Sequence, residues 1–406
     1  MAITLITTPA THTPCFNDQW FTATSSQTAQ ANFQFYVTVT VHYHNGTTWT
    51  TNVNNEAINT PPDGILRFNA RSYGEKYIKH YIPISSTGWN RCLNGVLKIV
   101  VNVGERYGST PAVYTGSNQT YYVWNASLTY EQMVGYSASN YVASNGSAFP
   151  ILNDCPDTKS STYSQNFLYI LAESDNVIQK ARITSTDGSS IYTFDITNTL
   201  LASGNWYDRY LSLNVSPWYL SVVGGVNWGG VVGTQYSVQL YDNTGTLRKT
   251  VVYDYSSVCT QYYRYQLIYL NHKGAFDHFN FELISEEEYD IVSTKVKTTP
   301  YSDPSGAGTM TLLNWTQTEK VNNVQVKKSL KLNSNILTEA QSLTLKDLVT
   351  SPVVYLQDLD SQQYTYIYAV NNALTKYKRV RNFNNKVPNL LADVDMSYVN
   401  NRQKGA

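Results

Sequence analysis

Residues 263–281 read YRYQLIYLNHKGAFDHFNF, which sets His272, Asp277 and His278 close together in the chain. Two imidazoles and a carboxylate are the raw material of a zinc centre or of general acid–base chemistry. Such a centre needs three or four converging ligands, each steadied by a further partner, and this stretch supplies only two histidines and one aspartate. Asp277 fits better as a turn residue whose short side chain accepts backbone N–H groups. A second pair, His42 and His44 in VHYHN, shares one face of an alternating segment and has no third ligand in the sequence nearby. The chain has no G-x-S-x-G, no H-E-x-x-H and no glycine-rich phosphate loop. A carboxylate pair for glycoside chemistry is a spatial arrangement that sequence does not show. The residues therefore predict no catalytic residue, no cofactor and no metal.

Two charged runs are the other candidates. ELISEEEYD carries Glu286, Glu287 and Glu288, and KYKRVRNFNNK carries Lys378, Arg379 and Arg381. Each reads as a solvated face, and their opposite signs also allow them to meet between neighbouring subunits. Trp206, Trp218 and Trp228 are candidates for stacking on sugars, against the plainer expectation that they pack in a core or between subunits.

The elements that must carry these residues are strands. FQFYVTVTVHYHNGTTW alternates Phe33, Phe35, Val37, Val39 and Val41 on one face and then meets Asn45-Gly46, a hairpin signal. VIQKARITSTDGSSIYTFDI turns about Asp187-Gly188, and YSVQLYDNTGTLRKTVVYDYS about Asn243 to Gly245. The opening stretch is itself a hairpin: 263–270 packs on both sides, NHKG turns, and Phe279, Phe281 and Leu283 alternate after it. On that reading His278, Asn280 and Glu282 project from the face opposite the phenylalanines. One helix is well marked, since Thr338 with Gln341 forms a capping box and the segment stops before Ser351-Pro352. The spacing predicts a mainly β chain, with multi-domain antiparallel sandwich or barrel architecture and one or a few short helices in a C-terminal domain. The Ser/Asn/Pro-rich segment 143–166 and the segment 298–308 read as breaks. They suggest an N-terminal β-sandwich domain at 1–155, a central β domain at 156–297 and a C-terminal α+β domain at 298–406.

Composition narrows the function classes. Only 14% of residues are charged, and Lys+Arg balance Asp+Glu at 29 each, so the surface is built from neutral polar groups, including many of the 34 tyrosines. Neutrality argues against a nucleic-acid binder, whose affinity comes from clustered cations, but allows passive proximity to DNA. The N-terminal MAITLITTPATHTP does not read as a signal peptide, and no stretch approaches the roughly 18 apolar residues of a membrane span. Cys15, Cys92, Cys155 and Cys259 are scattered singly, which predicts free, mostly packed thiols.

The order of three pieces resembles a group of virion structural proteins from tailed phages of Bacteroidetes hosts, including crAss-like phages. The pieces are VNVGERYG with YYVWNASL, the central YQLIYLNHKGAFDHFNF, and the terminal ILTEAQSLTLKDLVTSPVVYL. The resemblance spans most of the chain. It implies structural roles for Gly274, Asp277, Phe279 and Phe281, with Ala275 standing where the family pattern has a second glycine. It further implies a non-enzymatic tail or neck component, assembled in the host cytoplasm into a homo-oligomeric ring around the DNA channel, with other tail, neck or portal proteins as partners and the virion as its location. The alternative is a carbohydrate-binding host-adhesion protein of the virion, and a third reading is a glycan-cleaving enzyme.

Overall fold

The computed structural model describes residues 3–80, 82, 88–109, 112–154, 164–174, 176–186, 191–200, 205–225, 234–255, 263–297, 301–302, 308, 311–312, 319–334, 337–360, 367–372, 390–397 and 400–401. The chain is mainly β, in several antiparallel or mixed sheets, and the described residues include four α-helices. It divides into two compact units. The larger holds 1–259 with 268–279 and 362–365, and the smaller holds 260–267, 280–361 and 366–406. The central hairpin is thus shared by sequence, its turn belonging to the larger unit and its open ends to the smaller.

The larger unit contains two hydrophobic cores. In the first, a three-stranded sheet (Ile3–Thr7, Trp20–Ser25, Ile65–Asn69) faces a five-stranded one ordered His12–Pro14, Ala112–Trp124, Val96–Tyr107, Gln34–His44, Trp49–Asn59. The alternation predicted for Gln34–His44 is present: Phe35, Val37, Val39 and Val41 are buried in this core, and Tyr36, Thr38, Thr40 and His42 point the other way. Burying one complete side-chain row this way fixes the register, because a slip by one residue would turn the whole row outward. Its hairpin partner Trp49–Asn59 follows the Asn45-Gly46 turn, with Gln34 opposite Asn59 and His44 opposite Trp49.

The second core lies between a sheet ordered Val142–Ala143, Phe167–Ala172, Tyr210–Asn214, Trp89–Arg91 and another ordered Ile191–Thr197, Ile178–Thr186, Thr234–Asp242, Leu247–Tyr255. The hairpins expected about residues 187–188 and 243–245 supply the second of these sheets. Asp187 and Gly188 themselves lie outside the described residues. The first core draws on residues up to Val123; the second draws on Trp89 and on residues from Ala143 onward, including Ala143 and Phe149 within the 143–166 segment. Three short helices also belong to this unit, Arg71–Glu75, Tyr130–Val134 and Pro217–Gly224.

The smaller unit begins at residue 260 rather than at 298. The reason is strand pairing. Glu286–Lys297 and Glu319–Asn333, on either side of the 298–308 segment, are antiparallel neighbours along their length, so that segment falls inside one sheet's connection. Within this unit the sheet runs Val354–Asp358, Ile367–Asn372, Leu391–Met396, Glu319–Asn333, Glu286–Lys297. The predicted helix is Glu339–Thr350, capped by Thr338, whose hydroxyl accepts from Gln341 N at 3.2 Å while Gln341 Oε1 accepts from Thr338 N at 2.9 Å. It buries Leu345 and Leu348.

Candidate functional site

The central hairpin is built as a structural lock. Asn271 closes its turn, with its Oδ1 accepting from Lys273 N and Ala275 N at 3.0 Å each. Gly274 sits at φ +94°, and a Cβ there would stand 1.9 Å from the carbonyl oxygen of Asn125. Only glycine meets both demands. The left-handed position is therefore Gly274 alone, and Asn271 serves through its side chain instead. Around the turn, Trp124 Nε1 donates to Lys273 O at 3.0 Å, Ser127 N donates to His272 O at 2.8 Å, and the Tyr210 hydroxyl donates to Gly274 O at 2.5 Å. Two of the quoted sequence pieces, YYVWNASL and NHKGAFDHF, thus pack directly on one another.

Asp277 is the buried centre of this lock. Its carboxylate accepts from Asn271 Nδ2 at 2.8 Å, from Asn153 Nδ2 at 3.0 Å and from Asp154 N at 3.1 and 3.2 Å. Its partners are a loop more than a hundred residues away, not only the local turn backbone that the sequence suggests. Burial and then the neighbouring Asp154 carboxylate push its pKa up, against the hydrogen bonds that hold it down. Lys273 Nζ pairs with Asp154 Oδ1. His272 has both ring nitrogens in use: Nε2 lies 2.9 Å from Gln132 Nε2, and Nδ1 lies 3.4 Å from Asp154 Oδ2. Since an amide nitrogen only donates, the contact with Gln132 makes Nε2 the acceptor and puts the proton on Nδ1, facing Asp154.

His278 departs from expectation. The strand Phe276–Phe281 is buried on both faces, so the polar residues alternating with phenylalanine are as enclosed as Phe279 and Phe281 themselves. Among the described residues His278 Nε2 has no hydrogen-bond partner, and burial lowers its pKa to about 4. Asn280 is satisfied across the hairpin, accepting from Gln266 Nε2 at 3.0 Å.

The acidic run opens the strand Glu286–Lys297 and already has partners within the chain. Glu287 accepts from Lys328 Nζ at 2.6 Å, and Glu288 lies 3.0 Å from Lys331 Nζ, both lysines being on the adjacent strand. Lys378, Arg379 and Arg381 fall outside the described residues. Every residue of Glu286–Lys297 is exposed, including the apolar Tyr289, Ile291, Val292 and Val296. Among the described residues this strand has one hydrogen-bonded neighbour and forms the open end of its sheet.

Of the tryptophans, Trp218 packs against the second core and Trp228 lies outside the described residues. Trp206 stands in a half-buried aromatic group on the outward face of the five-stranded sheet. Its ring centroid is 5.0 Å from Trp49, 6.2 Å from His42 and 6.4 Å from Tyr122. Trp49 stacks flat on Tyr207 at 4.1 Å, and the guanidinium of Arg91 lies 5.0 Å from the Tyr207 ring centroid. His42 and His44 are edge neighbours of these tryptophans.

Beside this group the same sheet face holds a groove of about 300 Å³. Its lining comes from three adjacent strands: Tyr36, Thr38 and Thr40, then Val100, Asn102 and Gly104, then Val113, Tyr114 and Asn118. Gly104 allows the close approach of the 112–124 strand, since a Cβ there would meet Tyr114 O at 2.5 Å. The sequence gives no signal for the groove, because outward Thr, Asn and Tyr residues on separate strands look like an ordinary solvated face.

No protein-family model and no curated protein matches the chain. Solved structures that it resembles include fibronectin(III)-like modules of Clostridium thermocellum CbhA (10% identity, 63% of this chain and 93% of that one, TM-score 0.16). A Ca2+-stabilized adhesin with which an Antarctic bacterium binds ice has 10% identity over 82% of this chain and 70% of its own, at TM-score 0.15. Squid arrestin has 8% identity over 60% and 90%, at TM-score 0.17. Superpositions this loose carry no argument about function.

Proposed function

We propose that this chain is a non-enzymatic structural protein of a phage virion, a tail or neck component that assembles with copies of itself into a ring around the DNA channel. The resemblance of its three sequence pieces supplies the virion setting. The observation that carries self-assembly is the strand Glu286–Lys297, an exposed edge of 12 residues with Ile291 66% and Val292 61% exposed on its opposite faces. Proteins that work as monomers blunt such an edge with charge, proline or a bulge, because its free N–H and C=O groups pair with another chain. This strand carries charges toward both ends, Asp290 near its middle and an irregularity at Thr294–Lys295, so pairing with a second copy would centre on the exposed Ile291 and Val292. Where this edge meets a different surface of the next copy the contact is head-to-tail, and it closes into a ring when the rotation between copies allows it.

The test is the double variant Ile291→Lys/Val292→Lys. Both side chains are exposed, so the fold should be retained with unchanged melting temperature, and the ring expected for the wild type by electron microscopy should be lost. Rings that persist in the folded double variant would show that this edge is not the assembly surface.

A further inference from the structure

We infer that the groove on the outward face of the five-stranded sheet is a binding site for a neutral saccharide. The first ground is chemical. None of the nine residues lining it is charged, so it offers nothing to hold a phosphate, a sulfate or a carboxylate. It offers instead two phenol rings, Tyr36 and Tyr114, with hydroxyls from Thr38 and Thr40 and side-chain amides from Asn102 and Asn118 between them. A few directed polar groups beside aromatic surface are what a small hydroxylated ligand needs for orientation and contact.

The second ground is that these groups are available. Asn102 and Asn118 stand opposite each other on adjacent strands, and neither amide is hydrogen-bonded to protein among the described residues. The Thr38 hydroxyl donates to Asn55 Oδ1 at 2.8 Å, which orients its oxygen and leaves that oxygen free to accept. Tyr114 is held by stacking on Tyr107, with centroids 4.7 Å apart and planes 18° apart, yet remains 45% exposed. A ring fixed on one side and open elsewhere pays little ordering entropy on binding.

The third ground is that the floor offers no backbone groups to a peptide strand. The central strands of the floor, Gln34–His44 and Val96–Tyr107, are each paired on both sides, so their backbone groups are already spent within the sheet. An added β-strand needs a free edge, and neither of these two strands has one; the 112–124 strand, paired with His12–Pro14 only at Tyr122–Trp124, keeps an open edge on its side away from the floor. Recognition on the floor therefore runs through side chains. The cluster of Trp49, Trp206 and Tyr207 lies farther along the same face, beyond the row His42, Lys98 and Tyr122, where the Arg209 guanidinium sits 4.0 Å from the Tyr122 ring centroid.

The experiment uses the full chain on an array of neutral hexose and N-acetylhexosamine oligosaccharides together with their sulfated counterparts, followed by titration of the best binder. Binding to neutral members is expected, with at least about a tenfold loss of affinity in Tyr114→Ala and in Asn102→Ala at unchanged melting temperature. Tyr114→Phe keeps the ring and retains most of the affinity. Three outcomes would overturn the inference: no signal from any neutral glycan, equal binding of sulfated glycans, or binding that both alanine variants leave intact. None of these readouts depends on ring assembly, so the two proposals fail separately.

Discussion

Asn271 and Asp277, on opposite sides of the hairpin turn, are joined by a 2.8 Å hydrogen bond from the Asn271 amide to the Asp277 carboxylate, with both side chains buried. The same amide also donates to Leu152 O at 2.9 Å, so one side chain ties the turn to a distant loop. Removing it leaves Leu152 O and the backbone donors of Lys273 and Ala275 without the partner they have now. Asn271→Ala is expected to destabilise the larger unit by about 3 kcal/mol, as loss of a buried network does. Chemical denaturation of the two proteins checks this, and a difference below about 1 kcal/mol would remove the lock from the account.

Gly274→Ala should be as damaging, through backbone rather than hydrogen bonding. Its Cβ would enter the space of Asn125 O, and alanine pays for a positive φ that glycine adopts freely. A lowered melting temperature with reduced soluble yield is the expected outcome. A control at Gly46, whose φ is +106° but whose Cβ would meet nothing within 4 Å, should lose less.

Acid sensitivity follows from two buried histidines. His12 and His278 each have a pKa lowered to about 4, by burial first and for His12 also by the Arg209 charge. Between pH 6.5 and 4 the unfolded chain takes up protons that the folded one refuses. Their contribution to stability is therefore present above pH 6.5 and lost as pH falls through that window, by up to about 3 kcal/mol for each histidine. Asp277 acts with the opposite sign: its raised pKa means that the folded state keeps a proton the unfolded state has released, so this group favours the fold at low pH. The double variant His12→Phe/His278→Phe should flatten the acid limb of a stability-against-pH curve, whereas Asp277→Asn should steepen it. Identical curves for wild type and the histidine variant would contradict the assignment.

The acidic run gives a charge-reversal test. Because Glu287 and Glu288 pair with Lys328 and Lys331 inside the chain, reversing them to Lys should lower the melting temperature slightly even where no assembly occurs. Adding Lys328→Glu and Lys331→Glu should restore it. If Lys378, Arg379 and Arg381 instead receive these carboxylates from a neighbouring copy, reversing those three would be the change that rescues assembly.

Much of this fold is legible in the sequence, because period-two alternation and turn residues are local signals. Phe35 to Val41 mark a buried row, Gly274 marks its turn, and Thr338 with Gln341 marks its helix. What is hidden depends on contacts distant in sequence. His278 alternates with phenylalanines as a solvent-facing residue would, and only the covering of the strand's second face buries it. Asn153 and Asp154 carry no sign that they complete the site of Asp277. The groove needs Thr38, Asn102 and Asn118 to be aligned across three strands, a register set by the whole sheet rather than by any one segment.

The most direct test of self-assembly through the exposed edge is sedimentation of the full chain over a wide concentration range, with Ile291→Lys/Val292→Lys measured alongside. The account predicts a single closed oligomer of fixed stoichiometry for the wild type and a folded monomer for the variant. A wild type that stays monomeric at every concentration, or a variant that forms the same oligomer, would contradict it.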